Sequence, residues 1–268
     1  MKIASPYLIA PGHKVRLKDS NASSTGNLKD SDEAKPLLDK YRKHLDELQE
    51  VLYAGADQGL LIVLQGMDTA GKDGTIRHIF DGVNPQGCNV TSFKVPTPLE
   101  AKHDFLWRCH AAVPPRGMIG VFNRSHYEDV LSPRVHGQLN GKTARQHMDQ
   151  INNWEAMLVE NGIAVLKFFL HISEEEQKKR LQARIDDKEK HWKLSAGDFA
   201  ERRFWADYQK CYEDIFERTS KKHAPWFVIP ANEKWYRNVA ISSILVEALS
   251  GMNLKYPVST VDVSTLKL

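Results

Sequence analysis

The sequence predicts an α/β protein, a three-layer α/β/α sandwich built on a five-stranded parallel sheet. Three observations carry that expectation. From Leu60 onward, short apolar runs alternate with helical patterns, as a parallel sheet with crossover helices requires. The first of these runs opens directly into a glycine-rich turn. The length, 268 residues, suits one sizeable α/β domain better than two independent ones.

Taken in order, residues 1–33 are polar and turn-rich, with Asp19-Ser20-Asn21-Ala22-Ser23-Ser24-Thr25-Gly26 at their centre, and read as an N-terminal tail that wraps or stays loose. Residues 34–268 read as the single domain. It begins with a helix over Ala34–Tyr53, where Leu38, Tyr41, Leu45, Leu48 and Leu52 recur at the three-to-four spacing of one face. The strand candidates are Leu60–Leu64, Val90–Phe93, Met118–Phe122, Ala164–Leu170 and Trp226–Ile229. Thr97-Pro98-Leu99-Glu100 and Ser173-Glu174-Glu175-Glu176 have the form of capping boxes, because a hydroxyl and a carboxylate three residues apart can satisfy each other's backbone N–H. Asn232 is placed to cap the last helix, which should stop near Gly251.

Composition narrows the function classes. Apolar residues make up 41% and charged residues 26%, enough for a core with a cleft and without disulfides or structural metals. The net charge of +3 does not call for a nucleic-acid partner, and a local basic site for a small polyanion accounts for it. Cys88, Cys109 and Cys211 contain no C-x-x-C pair, which fits a reducing compartment. The N-terminus lacks a signal-peptide core and the apolar runs are strand-length, so the expectation is a soluble cytoplasmic protein that does not enter a membrane.

The chemistry starts after the first strand. Gly66-Met67-Asp68-Thr69-Ala70-Gly71-Lys72-Asp73-Gly74-Thr75 matches G-x-x-x-x-G-K, followed by the helical pattern of Ile76, Ile79 and Phe80. A strand that turns this sharply into a helix aims backbone N–H groups inward at phosphate oxygens, and Lys72 adds a mobile full charge. One position departs from the usual loop: the Ser or Thr that normally follows the lysine and holds Mg²⁺ is Asp73, while Asp68 adds a carboxylate inside the loop. Two carboxylates beside phosphates call for a divalent cation between them, although Asp73 near a helix N-terminus is also favourable to the dipole in any protein.

The third strand ends in Val121-Phe122-Asn123-Arg124-Ser125, with Asn123 where a metal-holding Asp commonly sits, and Glu128, Asp129 and Arg134 follow closely. Mixed charge at the carboxyl end of a parallel strand belongs in the cleft. After the fourth strand, Arg180 and Arg184 lie four apart on one helix face, with Lys190 and Lys193 just beyond. The segment at about 174–198 therefore reads as a basic lid over the cleft, suited to a long or multiply charged phosphate donor. The same region also reads as a charged surface helix, since Glu174–Glu176 can pair with Lys178–Arg180. His126 reads as a surface histidine, and Trp154, Phe204, Trp205, Tyr208 and Tyr212 as core aromatics.

With these residues in place, the chain from about Leu37 to Leu249 resembles the family-2 polyphosphate kinases. The resemblance rests on Gly66 to Gly74, on Phe122-Asn123-Arg124-Ser125-His126-Tyr127-Glu128-Asp129-Val130, and on Lys190-His191-Trp192-Lys193-Leu194. Asp73 after the loop lysine is normal in that family, whereas many members have Asp at the position of Asn123. The resemblance implies a thymidylate-kinase-like P-loop fold and reversible, Mg²⁺-dependent phosphoryl transfer between inorganic polyphosphate and AMP, ADP or ATP, with guanine nucleotides as further candidates. The form of the second motif is similar to the subgroup that phosphorylates both AMP and ADP. On this reading Asp68, Lys72, Asn123 and Arg124 are the catalytic set. Gly66, Thr69, Ala70, Gly71, Asp73, Gly74, Glu128 and Arg134 join Lys72 around the phosphates, Asp68 and Asn123 hold the metal, and Arg180, Arg184, Lys190 and Lys193 form the lid. A homo-oligomer is implied as well. Two rivals share the loop: a nucleoside or nucleotide kinase with ATP as donor, and a non-catalytic nucleotide-binding regulator that leaves the basic lid without a task.

Overall fold

Five strands, β1 (Gly59–Gly66), β2 (Cys88–Ser92), β3 (Ile119–Asn123), β4 (Ile163–His171) and β5 (Trp226–Pro230), form one sheet in the order β2-β3-β1-β4-β5, every pair parallel. This is a computed structural model, and it describes residues 3–262 and Leu266. β1 lies at the centre, buried along its whole length, and the connections leave it on both sides. The carboxyl end of β1 is therefore the point where the chain's path reverses, the place where open parallel sheets leave a crevice for ligands.

Each strand divides its side chains between two cores because successive residues face opposite sides of the pleat. Leu60, Ile62 and Leu64 of β1, with Leu166, Phe168 and Leu170 of β4, pack under α1 (Ser31–Gly55), α2 (Lys72–Ile79) and α9 (Lys234–Ser250). Leu61 and Val63, with Val165 and Phe169, pack under α4 (Glu128–Val135), α5 (Gly141–Glu160) and α8 (Trp205–Thr219). The helix α1 starts three residues before the expected Ala34, because Asp30 accepts the N–H groups of Asp32 and Glu33 and caps it. α6 (Glu174–Asp186) follows β4, capped by Ser173 Oγ, which accepts from the N–H of Glu176 at 3.1 Å. Among the described residues, no helix is long and apolar enough to cross a membrane.

Two capping expectations differ from the structure. Thr97 and Glu100 do exchange reciprocal bonds, Thr97 N–H to Glu100 Oε2 at 2.6 Å and Glu100 N–H to Thr97 Oγ1 at 3.2 Å, yet they close only a single 3₁₀ turn at Glu100–Lys102. The helix there, α3 (Trp107–Ala111), begins later. Asn232 does not cap α9; its Oδ1 accepts the N–H of Ser173 at 3.0 Å and so ties the start of α6 to the end of β5. Of the polar N-terminal residues, Ile3, Ile9, Leu17 and Ala22 are buried, and residues 7–9 run antiparallel along β5: Val228 N–H donates to Tyr7 O and Ile9 N–H to Trp226 O, both at 2.9 Å.

Candidate active site

The glycine-rich turn leaves β1 through two positions at which a side chain does not fit. At Gly66 φ is 155°, and a Cβ would lie 2.9 Å from Leu170 O. At Gly71 φ is 102°, in the region that only glycine enters without strain. Between them Thr69 also adopts a left-handed φ of 64°. α2 then starts at Lys72, whose Nζ folds back to donate to Gly66 O at 2.8 Å and to Met67 O at 3.4 Å. Burial, helped by the charge of Arg124, brings the pKa of Lys72 down to about 8, against the pull of Asp68, Glu128 and Asp73. A lysine held this way is half-buried and can exchange its carbonyl partners for phosphate oxygens.

β3 ends beside this loop and delivers two side chains to it. Asn123 Nδ2 donates to Asp73 Oδ1 at 2.7 Å, and Arg124, itself at φ 64°, donates from Nη2 to Asp68 Oδ1 at 2.9 Å. The backbone of Arg124 is fixed by its N–H, which donates to Leu64 O at 3.1 Å. Glu128 opens α4 within the field of the same groups: burial raises its pKa, while Arg124 and Lys72 oppose the rise. Asp68, Lys72, Asp73, Asn123, Arg124 and Glu128 are thus brought together around Gly66, Thr69, Ala70, Gly71 and Gly74. Arg134 makes its ion pair with Asp214 of α8.

The expected lid splits into two parts. Lys193, at the end of the 3₁₀ segment Lys188–Lys193, reaches within 4.0 Å of Asp73 Oδ2 and so bridges this segment to the loop. Arg184 pairs with Asp198 of α7 (Ala196–Glu201) at 3.9 Å, and Lys190 pairs with the neighbouring Asp187. Asp198 feels Asp68, Arg124 and Lys72; burial first, then Asp68, raises its pKa. Arg180 is placed differently from a lid residue. It is 8% exposed, and its guanidinium donates to the carbonyls of Thr69, Ala70, Ala231 and Asn232 at 2.7–3.1 Å while Nε meets Glu176 at 2.7 Å. It grips the outer side of the loop, and its four-residue offset from Glu176 draws it into that buried position.

His126 is a correction: it is fully buried rather than on the surface. Its Nε2 lies 3.2 Å from Glu155 Oε1 on α5, and Glu155 also accepts from Tyr127 Oη at 2.9 Å and from Lys167 Nζ of β4 at 2.5 Å. Lys167 Nζ further donates to Tyr127 Oη at 3.0 Å and Thr219 O at 2.7 Å. His126 and Tyr127 stand between Arg124 and Glu128 in the chain, so their bonds to Glu155 anchor the turn that carries them. Among the aromatics expected in the core, Trp154 and Tyr212 are buried, whereas Phe204, Trp205 and Tyr208 are partly exposed.

Three contributors went unrecognised in the sequence. Gln177 Nε2 donates to Asp68 O at 3.1 Å and holds the loop from α6. Asp198 faces the loop from α7. Arg237, near the start of α9, lies against the loop at Gly71. Its signal was an arginine inside a helix otherwise apolar around Val239, Ala240 and Ile241.

Known proteins resemble this chain in sequence and in fold. The family model described as Polyphosphate kinase 2 matches residues 28–257. An AMP/ADP-polyphosphate phosphotransferase of Meiothermus ruber is 47% identical over 255 residues, which is 94% of either chain. An ADP-polyphosphate phosphotransferase of Rhodopseudomonas palustris is 44% identical over 84% of this chain and 82% of its own. The crystal structure of Polyphosphate Kinase 2 from Arthrobacter aurescens TC1 superposes with a TM-score of 0.93 at 43% identity, covering 98% of this chain and 96% of that one. The sheet, the phosphate loop and these likenesses agree: the chain belongs to the polyphosphate kinase 2 family.

Proposed function

We propose that this protein transfers phosphoryl groups reversibly between inorganic polyphosphate and adenine nucleotides, converting AMP to ADP and ADP to ATP. The observation that carries the reading is the meeting of Lys72, Arg124 and Lys193 around a loop that holds two carboxylates of its own, Asp68 and Asp73. Three cations that reach the loop from separate elements suit a chain of phosphates better than a single phosphate group. The near full-length likeness to an AMP/ADP-polyphosphate phosphotransferase supports AMP and ADP together as acceptors.

Phosphoryl transfer needs positioning and charge neutralisation more than covalent help. The backbone of Gly66–Gly74 orients the phosphates, Lys72 and Arg124 neutralise the oxygens of the transferred group, and Lys193 closes from the lid side. The acceptor's terminal phosphate is already a competent nucleophile, so no side chain has to act as a strong base. Among the described residues, no three His, Cys, Asp or Glu side chains converge as a metal cage. That fits Mg²⁺, which takes one or two protein carboxylates and completes its shell with phosphate oxygens and water. Asp68 and Asn123, with Asp73 beside them, are the residues to hold it, since Asn123 turns its amide N–H to Asp73 and keeps its oxygen as an acceptor. Bound Mg²⁺ supplies charge neutralisation across the donor and acceptor phosphates. Guanine nucleotides as further acceptors, a homo-oligomer and a cytoplasmic setting belong to the same reading.

The test is a product analysis with AMP and Mg²⁺, using long-chain polyphosphate or ATP as donor. Successive appearance of ADP and ATP from polyphosphate is the expected result. A reaction that stops at ADP removes the second acceptor, and turnover only with ATP as donor overturns the reading in favour of an ordinary nucleotide kinase.

A further inference from the structure

Two arginines stand behind the phosphate loop, and only one of them has a counter-charge. Arg180 has Glu176 as its partner. Arg237 is 1% exposed and, among the described residues, makes no ion pair. Its Nε and Nη2 donate to the neutral Oδ1 of Asn238 at 3.1 and 2.8 Å, and its Nη1 donates to Ala70 O at 3.4 Å. The charge that acts on it most is a second cation, Arg180; burial and this repulsion lower its pKa to about 9. A guanidinium remains charged at neutral pH even so. The fold therefore encloses a positive charge whose hydrogen bonds all go to neutral acceptors, with no anion among the described residues to offset the rest of its solvation cost.

The position of that charge gives it a task. A Cβ on Gly71 would lie 2.2 Å from Arg237 Nη1, and one on Gly74 3.7 Å from Nη2, so the guanidinium rests against the loop and the first turn of α2. Ala70 O is drawn outward by both arginines. Because the peptide is planar and trans, the N–H of Gly71 is turned the opposite way, toward the inside of the loop. A third cation in this region, Lys234, has its pKa lowered by burial and by Arg180 and Arg237, against the pull of Glu176.

We propose that Arg237 is a positioning residue of the phosphate loop: a buried charge whose counter-ion is the bound phosphate chain, acting through the loop backbone without touching the substrate. This rests on the polyphosphate-transfer reading above. It implies that the free protein carries a strain that anion binding relieves. A purely structural arginine, one that only fastens α9 to α2, would behave in the opposite way: its removal would weaken the fold and leave anion affinity unchanged.

The experiment compares the wild type with Arg237→Met and Arg237→Lys, each titrated calorimetrically with tripolyphosphate and melted with and without it. The expected result is that Arg237→Met keeps or raises the Tm of the free protein, binds tripolyphosphate about tenfold more weakly or worse, and loses most of the Tm rise that the anion produces. Arg237→Lys, which retains the charge, should recover most of both. The proposal is overturned if Arg237→Met binds like wild type, if it fails to fold or melts well below it, or if Arg237→Lys is as weak as Arg237→Met. A wild type that ignores tripolyphosphate sinks the function reading instead, and the same three proteins titrated with ATP, which any loop of this spacing accommodates, then decide the role of Arg237.

Discussion

Two buried polar clusters sit on opposite faces of the sheet and handle charge in opposite ways. Beneath the β3–α4 turn, Lys167, Glu155, His126 and Tyr127 satisfy one another, with one cation facing one anion. Behind the phosphate loop, Arg180 pairs with Glu176, while Arg237 has, among the described residues, only the neutral Oδ1 of Asn238 and the carbonyl of Ala70. A balanced buried cluster serves the fold, because every member loses water and gains a partner. An unbalanced one is tolerated where a ligand arrives to complete it. The difference separates residues that hold the site in place from residues that wait for its substrate.

The comparison breaks most visibly at Glu155. Glu155→Ala leaves Lys167 charged, buried and without its anion, and should cost about 3–5 kcal/mol of stability, read by urea denaturation. An effect under about 1 kcal/mol would mean that water reaches Lys167 and that the cluster is not a sealed unit. The contrast with Arg237→Met, expected to leave the fold intact, is the sharpest form of the distinction.

A smaller effect lies in the acid range. Burial lowers the pKa of His126 below its ordinary value, against its hydrogen bond to the Glu155 carboxylate, which favours the charged form. The unfolded chain then takes up this proton more readily than the folded one. His126 therefore leaves stability undiminished above about pH 6.5 and lowers it as pH falls below that value, with a slope of at most about 1.4 kcal/mol per pH unit. Glu155, which burial pushes up but Lys167 and His126 hold net below its ordinary value, loses its contribution only as pH falls through the lower carboxylate range. Denaturation curves between pH 7 and 5 should flatten in His126→Gln; an unchanged slope would assign the acid sensitivity to other groups, such as His171, whose pKa burial also lowers.

The smallest effect belongs to the lid. The Lys193–Asp73 pair spans 4.0 Å between side chains that are both well exposed. Lys193→Ala should leave stability within about 1 kcal/mol of wild type and raise the KM for polyphosphate by about two- to fivefold. A loss far beyond that would place Lys193 in direct contact with the transferred group.

How much of this was legible follows the range of the interactions. The five strands and the loop after β1 could be read because their signals are local: an apolar run of strand length, then glycines at fixed offsets. What needs distant partners could not. Arg180 and Arg184 share a helix face in the sequence, but only the fold shows that one meets the carbonyls of Thr69 and Ala70 while the other meets Asp198. His126 looked exposed because it stands among polar residues; Glu155 and Lys167, which enclose it, lie 29 and 41 positions away. Asn232 had the right chemistry to cap α9, and a backbone N–H in another element, that of Ser173, took it first.

The pairing of residues 7–9 with β5 sets an order of events during synthesis. Tyr7 and Ile9 leave the ribosome well before their partners Val228 and Trp226, which are made more than two hundred residues later. At typical elongation speeds the leading segment waits roughly ten to forty seconds with no strand to join. During that wait a β-forming, partly apolar stretch is open to other chains, and its sparse hydrophobicity, with Pro6, Pro11 and Gly12 close by, keeps it from pairing with them. A polar, turn-rich composition is thus what allows β5 to be joined by a segment made more than two hundred residues before it.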